Sequence, residues 1–286
     1  MLSLSSRTST SVWLVIKLRL DRVLVITKKD WEEIYESRLT LFSVIFPYMI
    51  PLGLFLLINL ISKIFGVEFY RYISLEELEG VIGAYPIISD MDPPQLFYYI
   101  ICVLVIPTLF MIFSLASISI LTADSFAGEK ERKTIEALFA SPISDSELFL
   151  GKLLASFIPS IILTYLFYIV AIVIINLATA DIFGSLWYPT IEAGLAVFVI
   201  TPLYAFLGMT LVIWGSSRAS NVRDASNYAG ILIIPALIFI LSIMTGIIVF
   251  SIYYIIIIAI ILTLIDIVTF YLCYKTFNRE RLITSI

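Results

Sequence analysis

Apolar residues in this chain do not alternate with polar ones; they gather in runs at 41–60, 96–122, 153–177, 190–214 and 229–274, and no helical face of these runs is left polar. An α-helix rises about 1.5 Å per residue, so about 20 apolar residues cross a hydrocarbon core about 30 Å thick. The first four runs each supply one span. The fifth is too long for one crossing. Thr245, Gly246 and Ser251 loosen it and Tyr253 and Tyr254 suit a membrane interface, which predicts two helices, 229–248 and 253–274. Barrel strands would be about ten residues long with strict alternation. The pattern therefore predicts an all-α integral membrane protein with six transmembrane helices.

The polar stretches between the runs carry their own periodicity. In TKKDWEEIYESRL, Trp31, Ile34, Tyr35 and Leu39 recur at helical spacing while Lys28, Lys29, Glu32, Glu33 and Glu36 point elsewhere, which predicts an amphipathic interfacial helix over 27–40. Residues 1–26 are broken by Lys17, Arg19, Asp21 and Arg22, with no small-residue cleavage site, and are expected to be a surface extension. Nine charges fall between Asp124 and Glu147, flanked on both sides by apolar runs. Gly128 suits the end of the second span. From Glu129 to Ala140 the pattern is again helical, with Ile135, Leu138 and Phe139 as an apolar stripe and a stop before Ser141-Pro142. Ser144 and Glu147 have capping-box spacing, so the third span's helix is expected to start there. This short helix mixes acids with bases, which suits a protein partner better than an anionic lipid surface.

Composition agrees with the pattern: of 286 residues, 60% are hydrophobic and 14% charged, and the mean hydropathy is +1.04. Charge adds orientation. Sixteen of the 18 Lys and Arg residues fall on the side of the N-terminus, the 123–152 loop, the 215–228 loop and the tail, against Lys63 and Arg71 on the other. By the positive-inside rule both termini are expected in the cytoplasm of a multi-pass cell-membrane protein. The external loop 61–95 is acidic, which serves solubility or draws cations to an exit mouth. Cys102 and Cys273 both fall in spans, so neither a disulfide framework nor a cysteine metal site is indicated.

Three patches make the sequence resemble the permeases of the ABC-2 family of ATP-binding-cassette transporters: AGEKERKTIEALFASPISDSELFLGKLLAS at 127–156, SSRASNVRDASNYAGILIIP at 216–235 and FNRERL at 277–282. A weaker match is KKDWEEIYESRLTLFSVIFPYMIP at 28–51. The resemblance implies a type V exporter-like fold over 41–286, with a connecting helix before the first span and a coupling helix in the 123–152 loop that docks on a cytoplasmic ATPase. It makes Glu129, Lys130, Arg132, Thr134, Glu136, Leu138 and Pro142 candidates for the docking surface or its framing, and assigns Asp30, Trp31, Glu32 and Arg38 to the connecting helix. The implied partners are an ABC ATPase subunit, a second permease copy in a homo- or heterodimer and the lipid bilayer, with no nucleic acid. ATP and magnesium would be bound by the ATPase, with no cofactor on this chain.

Missing chemistry fits that division of labour. A P-loop ending at Gly151-Lys152 would need glycine at 146 and a hydroxyl residue at 153, where Ser146 and Leu153 stand. The chain has no histidine, which removes Ser-His and HExxH catalysis and leaves an intramembrane enzyme without its usual groups. Within the spans, Asp266, Asn59, Tyr165 and Asn176 are candidates for a translocation path, as are Ser114 and Ser117, although such residues also serve as glue between membrane helices. Asp266 is either a polar point on the path or a carboxyl bonded to a neighbouring hydroxyl. Pro47, Pro51, Pro107, Pro159, Pro202 and Pro235 put kinks in the first five spans, as hinges or as fixed shape. The expected function is a permease subunit exporting a substrate, driven by ATP hydrolysis on a separate chain. The alternative is an ATP-independent secondary carrier or channel.

Overall fold

The structure, a computed structural model, describes residues 20–66, 91–132, 143–216, 219, 221–244 and 251–276. A leading helix, α1 (Leu20–Glu36), is followed by six helices long and apolar enough to cross a membrane. These are α2 (Arg38–Phe65), α3 (Pro93–Gly128), α4 (Asp145–Ala178), α5 (Ile191–Ser216), α6 (Val222–Ser242) and α7 (Ile252–Lys275). No strand occurs among the described residues. In their most apolar stretches, 67% of α3 and 61% of α5 is buried, against 17% of α7, so α3 and α5 form the centre of the bundle. Around them α2, α4, α6 and α7 turn one apolar side inward and leave Phe42, Leu57, Ile162, Leu241 and Leu264 outward, as lipid-facing helices do.

Several helix starts are as the sequence leads one to expect. The Ser144 hydroxyl accepts from the Glu147 N–H (3.3 Å) and the Glu147 carboxylate accepts from the Ser144 N–H (2.9 Å), so α4 begins with a capping box. Two starts differ. Helix α1 begins by Leu20, seven residues before Thr27, because Val23, Ile26 and Thr27 are buried on one face against α4. Arg38 belongs to α2 rather than to the leading helix: Ser37 breaks the chain with an extended backbone and accepts from the Thr40 N–H (3.2 Å) as the N-cap of α2. The turn expected near 245–251 lies largely outside the described residues; the helix that carries the α6 span continues two residues past Ser242, to Met244, and α7 starts at Ile252.

The prolines shape the bundle through the carbonyls they leave without a helical donor. Proline has no N–H and crowds the carbonyl four residues back. Before Pro107 and Pro202 the helix widens into π-helical stretches, Ile100–Val105 in α3 and Ala196–Ile200 in α5. The Phe198 carbonyl, which Pro202 cannot serve, accepts instead from the Tyr165 hydroxyl at 3.0 Å. In α4, Pro159 frees the Ala155 carbonyl, which accepts from Trp31 Nε1 at 3.1 Å.

Hydroxyls tie α2, α3 and α4 together at mid-bundle. The Tyr48 and Thr164 hydroxyls are 2.9 Å apart, Thr164 donates to Ser114 (2.9 Å), and Ser117 donates to the Val44 carbonyl (2.8 Å). At the end of the bundle away from α1, Asn176 clamps the α4–α5 turn: its Nδ2 donates to the Tyr188 carbonyl (2.6 Å), and its Oδ1 accepts from the N–H groups of Trp187 (3.0 Å) and Tyr188 (3.2 Å).

Candidate functional site

At the charged end of the bundle α1 runs parallel to the first turns of α4. The register is regular: Thr27 Oγ1 donates to the Gly151 carbonyl (3.0 Å) and, four residues on in both helices, Trp31 Nε1 donates to the Ala155 carbonyl. One turn earlier, Arg22 lies 3.7 Å from the Glu147 carboxylate. Gly151 permits this closeness. A Cβ there would stand 2.8 Å from Ile26 Cβ and 3.2 Å from the Val23 carbonyl oxygen.

The contact brings a buried set of charges together. Lys152 Nζ lies 2.9 Å from Glu129 Oε1 and 3.8 Å from Asp30 Oδ2, and it donates to the Ser125 carbonyl. The side chains of Lys152, Glu129 and Asp30 are only 3%, 4% and 7% exposed. Ser125 Oγ donates to Asp30 Oδ2 at 2.6 Å. At the rim, Lys29 reaches Glu33 (2.9 Å), Glu129 (3.5 Å) and Asp30 (3.9 Å), while Arg132 reaches Asp124 (2.9 Å) and Glu33 (3.9 Å). Burial works to lower the Lys29 pKa, but the hydrogen bond to Glu33 and the charges of Glu129, Glu33 and Asp30 outweigh it and raise the pKa above its ordinary value.

The backbone contributes as well. The chain from Asp124 to Gly128 is π-helical, at the end of α3 where helix carbonyls carry partial negative charge, and the Lys152 ammonium is held there over the Phe126 ring at 5.6 Å. A buried pair of this kind adds little net stability, because desolvation offsets attraction, yet removing one partner costs about 3–5 kcal/mol. Its consequence is geometric: α1, the end of α3 and the start of α4 are pinned in one arrangement. The α3–α4 loop leaves and rejoins the bundle at this cluster. A further link reaches α6, whose first N–H, at Val222, donates to Glu131 Oε2 (3.3 Å) beside the Asn221 N-cap.

The residues singled out from the sequence divide accordingly. Glu129 and Asp30 are at the centre of the cluster, Arg132 and Trp31 at its edge, and Glu32 is exposed beside Lys28 at 3.7 Å. Glu129 thus frames the loop and directs its carboxylate into the chain. Thr134, Glu136, Leu138 and Pro142, and the side chain of Lys130, lie outside the described residues. Arg38 is exposed at the start of α2. Asn59 is half-buried, its Oδ1 accepting from Tyr98 (2.8 Å), and Tyr165 and Asn176 hold carbonyls as described above. Asp266 stands apart, buried with no hydrogen bond to either oxygen among the described residues. Lys152 and Ser125 are the central residues that sequence reasoning missed. The available sign was a cation at the start of a long apolar helix, where it counted only toward orientation.

The model of the ABC-2 type transporter family matches residues 22–240, from α1 into α6. The chain belongs to that family. Among curated proteins this ABC-2 chain is similar to the ABC transporter permease protein NatB of Bacillus subtilis (strain 168), 32% identical over 115 residues. That match covers 38% of the ABC-2 chain and 29% of NatB's length. No solved structure matches it. Six apolar helices and the family together make it a multi-pass membrane protein of the ABC-2 type.

Proposed function

We propose that this ABC-2 chain is the permease subunit of an exporter driven by ATP hydrolysis on a separate ATPase chain, with the α3–α4 loop as the docking segment and α1 as the connecting helix. The observation that carries the reading is the Lys152–Glu129–Asp30 cluster, which sets the loop's two ends and α1 in one rigid piece. A displacement applied to the loop is then passed to α1, α3 and α4 together, and through Glu131 to the start of α6. Such a transition moves packed helices between two discrete arrangements. The Lys and Arg asymmetry supports placing this end, with both termini, in the cytoplasm, where the ATPase binds ATP and magnesium. Outward apolar faces on α2, α6 and α7 leave room for a second permease copy within the bilayer.

The test is co-expression with a candidate ABC-type P-loop ATPase, followed by reconstitution in liposomes. Stable co-purification and stimulated hydrolysis are expected, and Glu136→Lys or Leu138→Asp in the loop is expected to abolish both. If both variants assemble and hydrolyse ATP as the parent does, docking through this loop is wrong. Solute movement driven by an ion gradient with no ATPase present would establish the carrier reading instead.

A further inference from the structure

We propose that α6 is a helix in two pieces: its outer part, Ile233–Met244, pivots about Leu232–Ala236 into an apolar cavity shared with α3, α5 and α7, and the Tyr204 hydroxyl latches the present bend. The backbone changes character at that point. It is α-helical over Val222–Asn227, tightens to a 3₁₀ helix over Tyr228–Leu232 and is α-helical again from Ile233. Pro235 follows at once and has no N–H for the Ile231 carbonyl. A tightened stretch ending at a proline is where a long helix bends most readily. The two sides of this point are held differently. Before it, Ala225, Ala229 and Leu232 are buried at helical spacing, and Trp214 of α5 meets the Tyr228 ring edge-on, with centroids 6.1 Å apart. Gly215 admits that ring, since a Cβ there would stand 2.2 Å from Tyr228 Cδ2. The Val222 N–H donates to Glu131, and the Leu232 carbonyl accepts from Tyr204 of α5. After it, Ala236 alone is buried among residues 233–242, while Ile234, Leu237, Ile238 and Leu241 are exposed.

The space for such a movement lies directly under the loosely held part. A cavity of about 190 Å³ is enclosed by Pro235, Ala236 and Phe239 of α6 and by residues of α3, α5 and α7. Its only polar lining residues are Thr108 and Tyr204, whose hydroxyls already donate to the Leu104 and Leu232 carbonyls, so it has no donor to spare for a polar ligand. Three irregular backbones meet around it: Pro107 after the widened turns of α3, Ala196 and Ile200 within those of α5, and Pro235 itself. A wall atom that faces a void forfeits the dispersion contacts that filling it would restore, so entry of Phe239 and its neighbours gains packing. What opposes it is the bond from Tyr204, which fixes the last carbonyl before the pivot. The outer part has 12 residues and rises about 18 Å, so a change of about 20° in the bend carries its far end about 6 Å. Because the inner part is fastened to α5 and to Glu131, the change of direction is confined to Leu232–Ala236.

The pivot is independent of the proposed ATPase docking, because it is read on the chain alone. Full-length protein with Cys102→Ala and Cys273→Ala, in lipid nanodiscs, would carry spin labels at Leu241→Cys and at Leu186→Cys in the α4–α5 turn, both exposed positions. Dilution with unlabelled chain makes double electron–electron resonance read distances within one chain. A second pair, Leu24→Cys and Arg223→Cys, reads the inner part of α6 against α1. Two distances differing by up to about 6 Å are expected for the outer pair and one for the inner pair. Tyr204→Phe removes the latch and should raise the ratio of the second distance to the first about fivefold. Met111→Trp, which fills the cavity from α3, should leave only the first. Gly230→Ala should lower the ratio without a clash, since its new Cβ meets nothing within 4 Å and only stiffens the 3₁₀ stretch. A single outer distance in both the parent and Tyr204→Phe would overturn the proposal. So would a second distance that Met111→Trp leaves in place, since the movement would then not enter the cavity. If Met111→Trp does not fold, an unchanged ratio in Gly230→Ala overturns it instead. Two distances in the inner pair would do so too, because α6 would then move as one piece.

Discussion

Replacing Lys152 by methionine isolates the contribution of the buried cluster. Methionine keeps most of the length and apolar stem of the side chain and removes the ammonium that faces Glu129 at 2.9 Å and Asp30 at 3.8 Å. Stripping one partner from a buried ion pair costs about 3–5 kcal/mol, because the remaining charge stays desolvated. Lys29, 3.5 Å from Glu129 and half exposed, compensates in part, which puts the expected loss near the lower limit, about 3 kcal/mol. That is roughly two orders of magnitude in the local opening equilibrium of α1. Amide hydrogen exchange across Val23–Ile34 in nanodiscs reads this directly. Faster exchange is expected in α1 and in the first turns of α4, with little change in the α4–α5 turn clamped by Asn176. Adding Glu129→Gln removes the stranded charge, and the double variant should recover about half of the loss or more. Unchanged protection in Lys152→Met, or no recovery in the double variant, would refute the claim that the pair pins α1 to the bundle.

Other outcomes follow from the same geometry. Gly151→Ala is expected to destabilise by about 1–3 kcal/mol, since the new Cβ would meet Ile26 Cβ and the Val23 carbonyl, neither of which swings away; Gly128→Ala meets only the mobile ends of Asp124 and Arg132 and should stay within about 0.5 kcal/mol, both read by thermal unfolding in detergent. Asn176→Ala strips the acceptor from the Trp187 and Tyr188 N–H groups and should cost about 2–3 kcal/mol, seen as faster proteolysis within 184–190. The Lys29 pKa is raised in the folded chain, so its contribution is fully present below its ordinary value of 10.5 and is lost as pH rises through the higher folded value. In a variant keeping Trp31 as its sole tryptophan, emission should hold steady from neutral pH to about 10 and shift above it, and Lys29→Ala should flatten that shift.

The spans and the capping box at Ser144 were legible in the sequence, because each depends on residues within a few turns of one another; of the stripe expected for α1, Ile34 is buried and Trp31 half-buried, whereas Tyr35 is exposed and Leu39 stands exposed in α2. The proline positions were equally plain, but not what they accomplish. Whether Pro159 acts as a hinge or as a fixed bend depends on who serves the Ala155 carbonyl, and that donor, Trp31, is 124 residues away. Asn59, Tyr165 and Asn176 read as path candidates because polar side chains in spans draw attention. In the folded chain they accept from or donate to specific neighbours and hold helices together. The early start of α1 escaped notice because LDRVLVI shows its apolar stripe only when the α4 face it covers is known.

Hydropathy is a property of one segment at a time, and a helix in lipid satisfies its own backbone, so the class of protein, the six crossings and the side of the membrane expected for each loop could be read before any contact was seen. Charge pairing is a property of two segments. Lys152, Glu129 and Asp30 are a positive and two negative residues on three different helices, and only their convergence at the end of α3 turns an orientation count into a buried lock. Asp266 differs for the same reason in reverse: the sequence offered it neighbouring hydroxyls, and packing placed it beside leucine and phenylalanine with no hydroxyl among the described residues bonded to its carboxylate, Thr269 donating instead to its backbone carbonyl.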